Sequence, residues 1–114
     1  MKRLLSIMAV VMVTFTLHAQ LPAFPGAEGF GALATGGRES RTVVHVTNLN
    51  AEGPGSLAEA LKGSNRIVVF DVGGIINLSP SQMIAIDQHD NITVLGQTAP
   101  GDGITIYGNR VLIR

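Results

Sequence analysis

Short apolar runs separated by turn residues dominate the second half of the chain. The last six begin 7 to 12 residues apart, and Gly, Asp, Asn and Pro fill the turns between them. Strands this short at this spacing predict either a β-sandwich or a β-solenoid, and the pattern alone leaves both open. Including an earlier run rich in β-branched residues, the strand candidates are residues 42–47, 67–70, 75–78, 83–86, 92–95, 104–107 and 111–113.

One segment, residues 56–62 (SLAEALK), has the pattern of a helix. Ser56 is placed to cap its first turn, Glu59 to complete a capping box, and Gly63 to end the helix in the left-handed conformation. A helix this short is not stable alone in water, so it must pack against an apolar surface. The apolar stripe at helical spacing consists of Leu57, Ala60 and Leu61.

Residues 1–19 have the three parts of a secretory signal peptide. Lys2 and Arg3 form a positive start, residues 4–17 are uncharged and mostly apolar, and Ala19 is a small residue before the expected cut. The apolar run is short for a membrane span, which needs about 20 residues; an uncleaved N-terminal anchor is the alternative. The predicted domains are therefore a signal peptide over 1–19 and one secreted unit over 20–114.

The composition narrows the classes of partner. The 8 Lys and Arg balance the 8 Asp and Glu, and 14% of residues are charged, so no basic surface for nucleic acid is indicated. An apolar content of 46% argues against disorder, and the lack of cysteine excludes disulfides and thiolate metal sites. We expect no nucleic-acid partner, and no membrane partner once the signal peptide is removed.

Two glycine patterns imitate nucleotide-binding motifs. Residues 29–34 match the G-x-G-x-x-A fingerprint, but no strand candidate precedes them and no helix candidate follows. Gly96 and Gly101 have the spacing of a P-loop, but Asp102 stands where a lysine should meet the phosphates. Neither pattern therefore predicts a nucleotide site. The Gly- and Ala-rich residues 20–40, which contain two prolines, predict a covering loop.

No catalytic, cofactor-binding or metal-binding residue can be assigned from the sequence. His45 and His89 have no ligand partner at a spacing that suits zinc. Four acids lie at strand ends or in turns, where Asp commonly binds its own backbone, with calcium ligation as the alternative. Ser56 is better explained as a helix cap than as a nucleophile. The four acids are Asp71, Asp87, Asp90 and Asp102.

Two asparagines, Asn91 and Asn109, lie just before strand candidates, which is one sign of stacked coils. Residues 77–79 and 91–93 match the N-glycosylation pattern, but Pro80 follows the first of them. We interpret both matches as ordinary strand and turn residues.

Four segments of the mature chain together carry a family resemblance: FPGAEGFGALATGGR, then VVHVTNLN followed by GPGSLAEAL, then RIVVFDVGG, and finally ITVLGQTAPGDGITI. In this order they resemble the N-terminal part of secreted bacterial pectate lyases, a group of polysaccharide lyases. The resemblance covers residues 24–114. It implies an all-β fold, a right-handed parallel β-helix, and so favours the solenoid over the sandwich.

The resemblance also implies what each segment is. Residues 56–62 would be the cap helix that a solenoid needs at its end, and residues 66–114 would be the first coils only. The calcium-binding acids and the catalytic arginine of such enzymes lie on later coils. The chain is therefore expected to be an N-terminal fragment, truncated before the catalytic coils, and inactive by itself.

For the full-length protein the resemblance implies a secreted carbon-oxygen lyase acting on polysaccharides. It would cleave pectate or a related polyuronate by Ca²⁺-assisted β-elimination, with a pectin-type polysaccharide as partner and Ca²⁺ as cofactor. Two alternatives remain open. One is a non-catalytic secreted β-helix, such as an adhesin or a carbohydrate-binding module, because a fold does not determine a function. The other is an inactive truncated gene product.

The leader sequence generates a direct test. We expect export of the protein with cleavage after Ala19, because residues 1–19 combine a positive start, an apolar stretch and a small residue before the cut. N-terminal sequencing of the secreted protein should give Gln20 or a residue within one or two positions of it. A secreted species that still begins at Met1 would contradict this expectation.

Overall fold

The structure, a computed structural model, describes residues 20–114, so the predicted signal peptide lies outside the described residues. Every predicted strand is present, and no strand end differs from its prediction by more than one residue. Residues Gly96–Thr98 form a 3₁₀ turn. The elements in chain order are β1 (Val43–Val46), α1 (Leu57–Ala60), β2 (Arg66–Phe70), β3 (Gly74–Asn77), β4 (Ile84–Ile86), β5 (Ile92–Leu95), β6 (Ile104–Tyr107) and β7 (Val111–Ile113).

The strands form three separate parallel sheets. Sheet 1 has the order β1-β2-β5, sheet 2 pairs β3 with β6, and sheet 3 pairs β4 with β7. The strand triplet β2-β3-β4 is therefore repeated by β5-β6-β7, each strand lying beside its counterpart from the preceding triplet. This is the arrangement of a parallel β-helix with three faces, and it confirms the predicted all-β fold class. The right-handed sense stays a prediction.

The register shows how much chain one coil uses. Arg66 pairs with Ile92 on sheet 1, and residues 26 apart also bond across the adjoining turn. Gly74 pairs with Ile104 on sheet 2, a separation of 30 that recurs in the next turn. Ile84 pairs with Val111 on sheet 3, a separation of 27. Because the three values differ, the turns between strands must change length from one coil to the next.

The core lies inside the first complete coil. Val68 on β2, Ile76 on β3 and Ile84 on β4 are each 0% exposed, one from each face. Aligned residues of parallel strands point to the same side, so each stacks on its partner in the next coil. The alternate positions face outward: Ile75, the neighbour of Ile76, is 61% exposed. The solenoid is thus held by apolar side chains that repeat on the inner side of every face.

Helix α1 covers the N-terminal end of this core. Leu57, Ala60 and Leu61 are 3%, 4% and 3% exposed, and the helix contacts β1 and β4. Ser56 caps it as predicted, because its Oγ accepts a hydrogen bond from the backbone N–H of Glu59 at 3.2 Å. The helix is shorter than predicted, because Leu61 already has the conformation of a terminal residue. Packing rather than length therefore stabilises it.

Two details of the predicted helix ends are wrong. The Glu59 carboxylate does not close the capping box; it accepts instead from Lys62 Nζ at 2.9 Å, while the Ser56 N–H donates to the carbonyl of Gly53. Gly63 is not the left-handed residue; Asn65 is, with a φ of 57°. Gly63 has a different role, since a side chain there would collide with the guanidinium of Arg66.

A short asparagine ladder fixes the turn before sheet 1. Asn65 and Asn91 both have positive φ, at 57° and 53°, and Asn91 Nδ2 donates to Asn65 Oδ1 at 3.1 Å. Asn tolerates this conformation better than most residues. Asn91 was interpreted as a sign of stacked coils, and the residue on which it stacks is Asn65, one coil earlier. Asn109 does not stack on Asn91; its amide binds the turn that follows β3.

Residues 20–40 contain turns but no helix or strand, as predicted for a covering loop. The loop reaches the coils: Thr35 Oγ1 donates to Asn91 Oδ1 at 3.3 Å. Gly37 lies so close to the backbone of Arg66 that a Cβ would overlap with it. Arg38 ties the loop to itself through the carbonyls of Pro22 and Thr35. Within residues 20–114, no helix has the length and apolar character that crossing a bilayer requires.

At the other end of the solenoid the inner face is uncovered in the described residues. Val94, the partner of buried Val68, is 43% exposed, and Val111, the partner of buried Ile84, is 46% exposed. Ile113 is 76% exposed. These residues face inward by register, and they are exposed because none of the described residues forms a coil above them. Together with the unpaired outer edges of β5, β6 and β7, they form the open end.

The alternation within β3 generates a stability prediction. Ile76→Ala should lower the free energy of unfolding by about 2 to 5 kcal/mol, because it leaves a cavity in a fully buried position. Ile75→Ala, one residue away and mostly exposed, is the matched control and should cost less than about 0.5 kcal/mol. Urea denaturation of the polypeptide 20–114 at a protein concentration too low for association, followed by circular dichroism, measures both. Equal losses would show that the inner and outer faces are wrongly assigned.

The open end generates a second prediction for the isolated polypeptide 20–114. It should self-associate or fold only partly, because unpaired strand edges beside exposed apolar side chains favour further pairing. Ile113→Lys should reduce the association, whereas Val43→Lys, an exposed change on the opposite edge strand of sheet 1, should not. Sedimentation velocity over a range of concentrations measures this. A monomer with a sharp, concentration-independent melting transition would contradict it.

Candidate functional site

The outer faces of the sheets are where a β-helix offers side chains to a ligand. On sheet 2 the outward pairs are Ile75 with Thr105 and Asn77 with Tyr107, and Tyr107 is 67% exposed. On sheet 1 the outer side carries His45 aligned with Val69 and Leu95. The polar side chains at these positions are Asn77, Thr105, Tyr107 and His45, and they form no acidic cluster among the described residues.

A histidine–aspartate pair joins two coils on the outer side of sheet 1. His45 Nδ1 lies 2.8 Å from Asp71 Oδ1, with the side chains 55% and 49% exposed. β1 positions the histidine, and the end of β2 positions the aspartate, 26 residues later. Asp71 was expected to bind its own backbone, but the partner that the structure gives its carboxylate is the imidazole of His45. An exposed pair of this kind contributes at most about 1 kcal/mol of stability.

The other acidic residues in turns lie apart from one another and do not form a cluster. Asp87 Oδ2 accepts from Arg114 Nη2 at 3.1 Å, again across one coil, so it too does not bind its own backbone. The Asp90 backbone N–H donates to Ser64 Oγ, which anchors that turn. His89 belongs to no acidic cluster. Across residues 20–114 there is no group of three or more His, Asp or Glu side chains that could hold a metal ion.

These positions do not fit a calcium site. Ca²⁺ takes six to eight oxygen ligands held together in space. Asp71 and Asp87 are occupied by His45 and Arg114, and each lies on a different turn. We therefore derive no catalytic step through a metal for this part of the chain.

A hollow of about 260 Å³ lies between β1 and the cap helix. Its charged residues are Glu59 and Lys62, which pair with each other, and Arg66; His45 also lines it. Arg66 Nη1 donates to the carbonyl of Ala60 at the end of the helix, while Arg66 Nε is shielded from solvent and has no partner among the described residues. The charged groups of the hollow therefore bind the helix or each other, and we interpret the hollow as part of the cap.

The two glycine patterns have structural roles. Residues 29–34 form turns of the covering loop, and Phe30 in their middle is fully exposed. The segment from Gly96 includes the 3₁₀ turn, where Thr98 Oγ1 donates to the carbonyl of Leu95 at 2.7 Å and accepts from the N–H of Phe70 at 2.8 Å. Thr98 therefore fastens one coil to the preceding one.

Sequence reasoning missed the polar contacts between coils. The bonds His45–Asp71, Asn65–Asn91 and Asp87–Arg114 join residues 26 or 27 apart. Nothing in local sequence spacing indicates such pairs. Once the coil length is known, they follow from asking which polar residues recur at that interval.

The sequence of this chain is similar to sequences of fungal proteins. The chain is 57% identical over 89 residues to three proteins named "Probable pectate lyase C", from Aspergillus terreus, Neosartorya fischeri and Aspergillus fumigatus. The match covers 78% of this chain and 20% of each relative. The chain thus spans about a fifth of the length of these relatives. No protein-family model and no solved structure matches it.

The similarity supports the resemblance to pectate lyases and corrects one part of it. The relatives are fungal, whereas the sequence resemblance was to bacterial enzymes, so it supports the pectate lyase family without supporting a bacterial branch. It also agrees with the fold, because stacked parallel strands are what the resemblance implied for this segment.

Proposed function

We propose that the chain forms the cap and first coils of a secreted polysaccharide lyase that cleaves pectate or a related polyuronate. The observation that carries the proposal is 57% identity over 89 residues to proteins named as pectate lyases. The described structure supports it, because β2-β3-β4 and β5-β6-β7 stack as successive coils beneath a capping helix.

The proposed reaction is β-elimination across the C4–C5 bond of a uronate. A base removes the C5 proton, and the glycosidic oxygen leaves from C4 with the bonding electrons, which creates an unsaturated sugar at the new end. The adjacent carboxylate must be neutralised for the proton to become acidic, and Ca²⁺, if held by other coils, would supply that charge. The base must lie within hydrogen-bond reach of the C5 proton.

Residues 20–114 do not provide these groups together. Of their five arginines, Arg38, Arg66 and Arg114 are bound to carbonyls or to a carboxylate of the protein. None of the five lies beside a cluster of metal-ligating acids. We therefore propose that this part of the protein starts and caps the solenoid, and that the elimination chemistry requires coils beyond those described.

Secretion is part of the proposal. Residues 1–19 have the pattern of an export signal, and an enzyme that cleaves a polysaccharide encounters its substrate outside the cell. The predicted division of the chain at residue 19 rests on the same pattern.

The enzymatic proposal predicts a difference between two polypeptides. Residues 20–114 alone should release no unsaturated uronide from polygalacturonate, with or without added Ca²⁺, because no metal ligand set is present. A polypeptide that joins them to the downstream coils of its gene should release such products, and a chelator should abolish the activity. Absorbance of the unsaturated product in the ultraviolet measures both.

Three outcomes would contradict the proposal. Ca²⁺-dependent product from residues 20–114, above a heat-treated control, would show that a site within them has been overlooked. A longer polypeptide with further β-coils that binds pectate without cleaving it would favour the non-catalytic alternative. An authentic stop codon directly after Arg114 would favour the inactive truncated product.

A further inference from the structure

A change in turn length creates a hollow on the surface between sheets 2 and 3. The turn from β3 to β4 runs over residues 78–83, whereas the equivalent turn from β6 to β7 runs over residues 108–110. The shorter turn cannot follow the longer one along its whole path. A recess of about 320 Å³ remains, at the small end of the range for ligand sites. It is lined by Pro80, Ser81, Gln82, Met83, Asn109 and Arg110.

The walls of this hollow are fixed by hydrogen bonds within the protein. Asn109 Nδ2 donates to the carbonyls of Ser79 and Pro80 at 3.2 and 3.0 Å, and Asn109 Oδ1 accepts from the backbone N–H of Arg110 at 2.8 Å. Gln82 Oε1 accepts from the Ser79 N–H at 3.1 Å. Because these amides are committed to the frame, their part is to hold the shape of the hollow.

Arg110 remains available for a ligand. Its guanidinium has no hydrogen-bond or ion-pair partner among residues 20–114, and no carboxylate lines the hollow. Glu52 approaches from outside, where its Oε1 accepts from Gln82 Nε2 at 3.1 Å. Beside Arg110 are the Ser81 hydroxyl, which shares a 3.1 Å contact with Ser79 Oγ, and the side chain of Met83, which is 45% exposed.

We propose that this hollow binds the carboxylate of a uronate residue in an acidic polysaccharide, outside the catalytic centre. Arg110 receives the carboxylate through paired N–H donors, the geometry in which arginine exceeds lysine. Ser81 donates to or accepts from a ring hydroxyl, and Met83 with Pro80 offers an apolar surface to the sugar ring. The choice of a uronate rests on the proposed function. The inference that the ligand is an anion rests on the positive charge of Arg110.

The experiment compares two arginines of the secreted protein that both lack a side-chain partner among the described residues. Arg110→Gln should weaken the binding of trigalacturonate by roughly tenfold or more, as expected for loss of a charged hydrogen-bonded pair. Arg41→Gln removes the same charge from outside the hollow and should change the affinity less than twofold. Arg110→Lys should restore part of the binding. Titration at low protein concentration, followed by nuclear magnetic resonance, measures the dissociation constants.

The controls separate the possible explanations. The methyl-esterified trimer, which lacks the carboxylates, should bind equally to the unchanged protein and to Arg110→Gln. Equal weakening by Arg110→Gln and Arg41→Gln would indicate general charge attraction and overturn the proposal, as would no weakening by either. Circular dichroism identifies a variant that fails to fold. In that case the unchanged protein is titrated with trigalacturonate, and the Arg110 side-chain Nε–H signal should shift. An unshifted signal would overturn the proposed site.

This test does not depend on catalysis. If the longer polypeptide cleaves pectate but Arg110→Gln binds normally, the hollow is rejected and the lyase proposal stands. If Arg110→Gln loses trigalacturonate binding but no longer polypeptide shows cleavage, the hollow stands as a binding site and the lyase proposal fails.

Discussion

The strands of successive coils must meet in parallel register. The backbone hydrogen bonds of β5, β6 and β7 have no other partners in the described chain, and the same register stacks Val94 on Val68. A one-residue slip would turn the inner side chains outward on that face. Strand length and inner side chains are therefore constrained together, while the turns remain free to change length.

The freedom of the turns explains where polar chemistry occurs. Sheet 2 and sheet 3 repeat at 30 and 27 residues because the turn between them is shortened in the second coil. The hollow beside Arg110 is the direct product of that shortening. By contrast, the residues just before sheet 1 keep the 26-residue register of the strands that follow, so Asn65 and Asn91 coincide and bond to each other.

The sequence predicted the strands well because each is a short apolar run between strong turn residues, and the helix because Ser56 and its apolar stripe are local signals. The errors have a common cause. Gly63 and Glu59 were assigned from local rules, but Arg66 occupies the space beside Gly63, and Lys62 binds the Glu59 carboxylate. The cross-coil pair of His45 and Asp71 could not be predicted, because its spacing is set by the coil length and not by any local period.

The distribution of charge separates binding from catalysis in this part of the protein. Elimination needs several acids gathered around a metal, but the register sends Asp71 and Asp87 to different turns, where His45 and Arg114 bind them. Recognition of a carboxylate needs much less: one arginine without a partner, held beside a fixed wall. Arg110 meets that requirement because the shortened turn places it next to the hollow without bringing an acid with it. On this proposal the first coils hold an acidic sugar, although no group of acids that could hold a metal is gathered among residues 20–114.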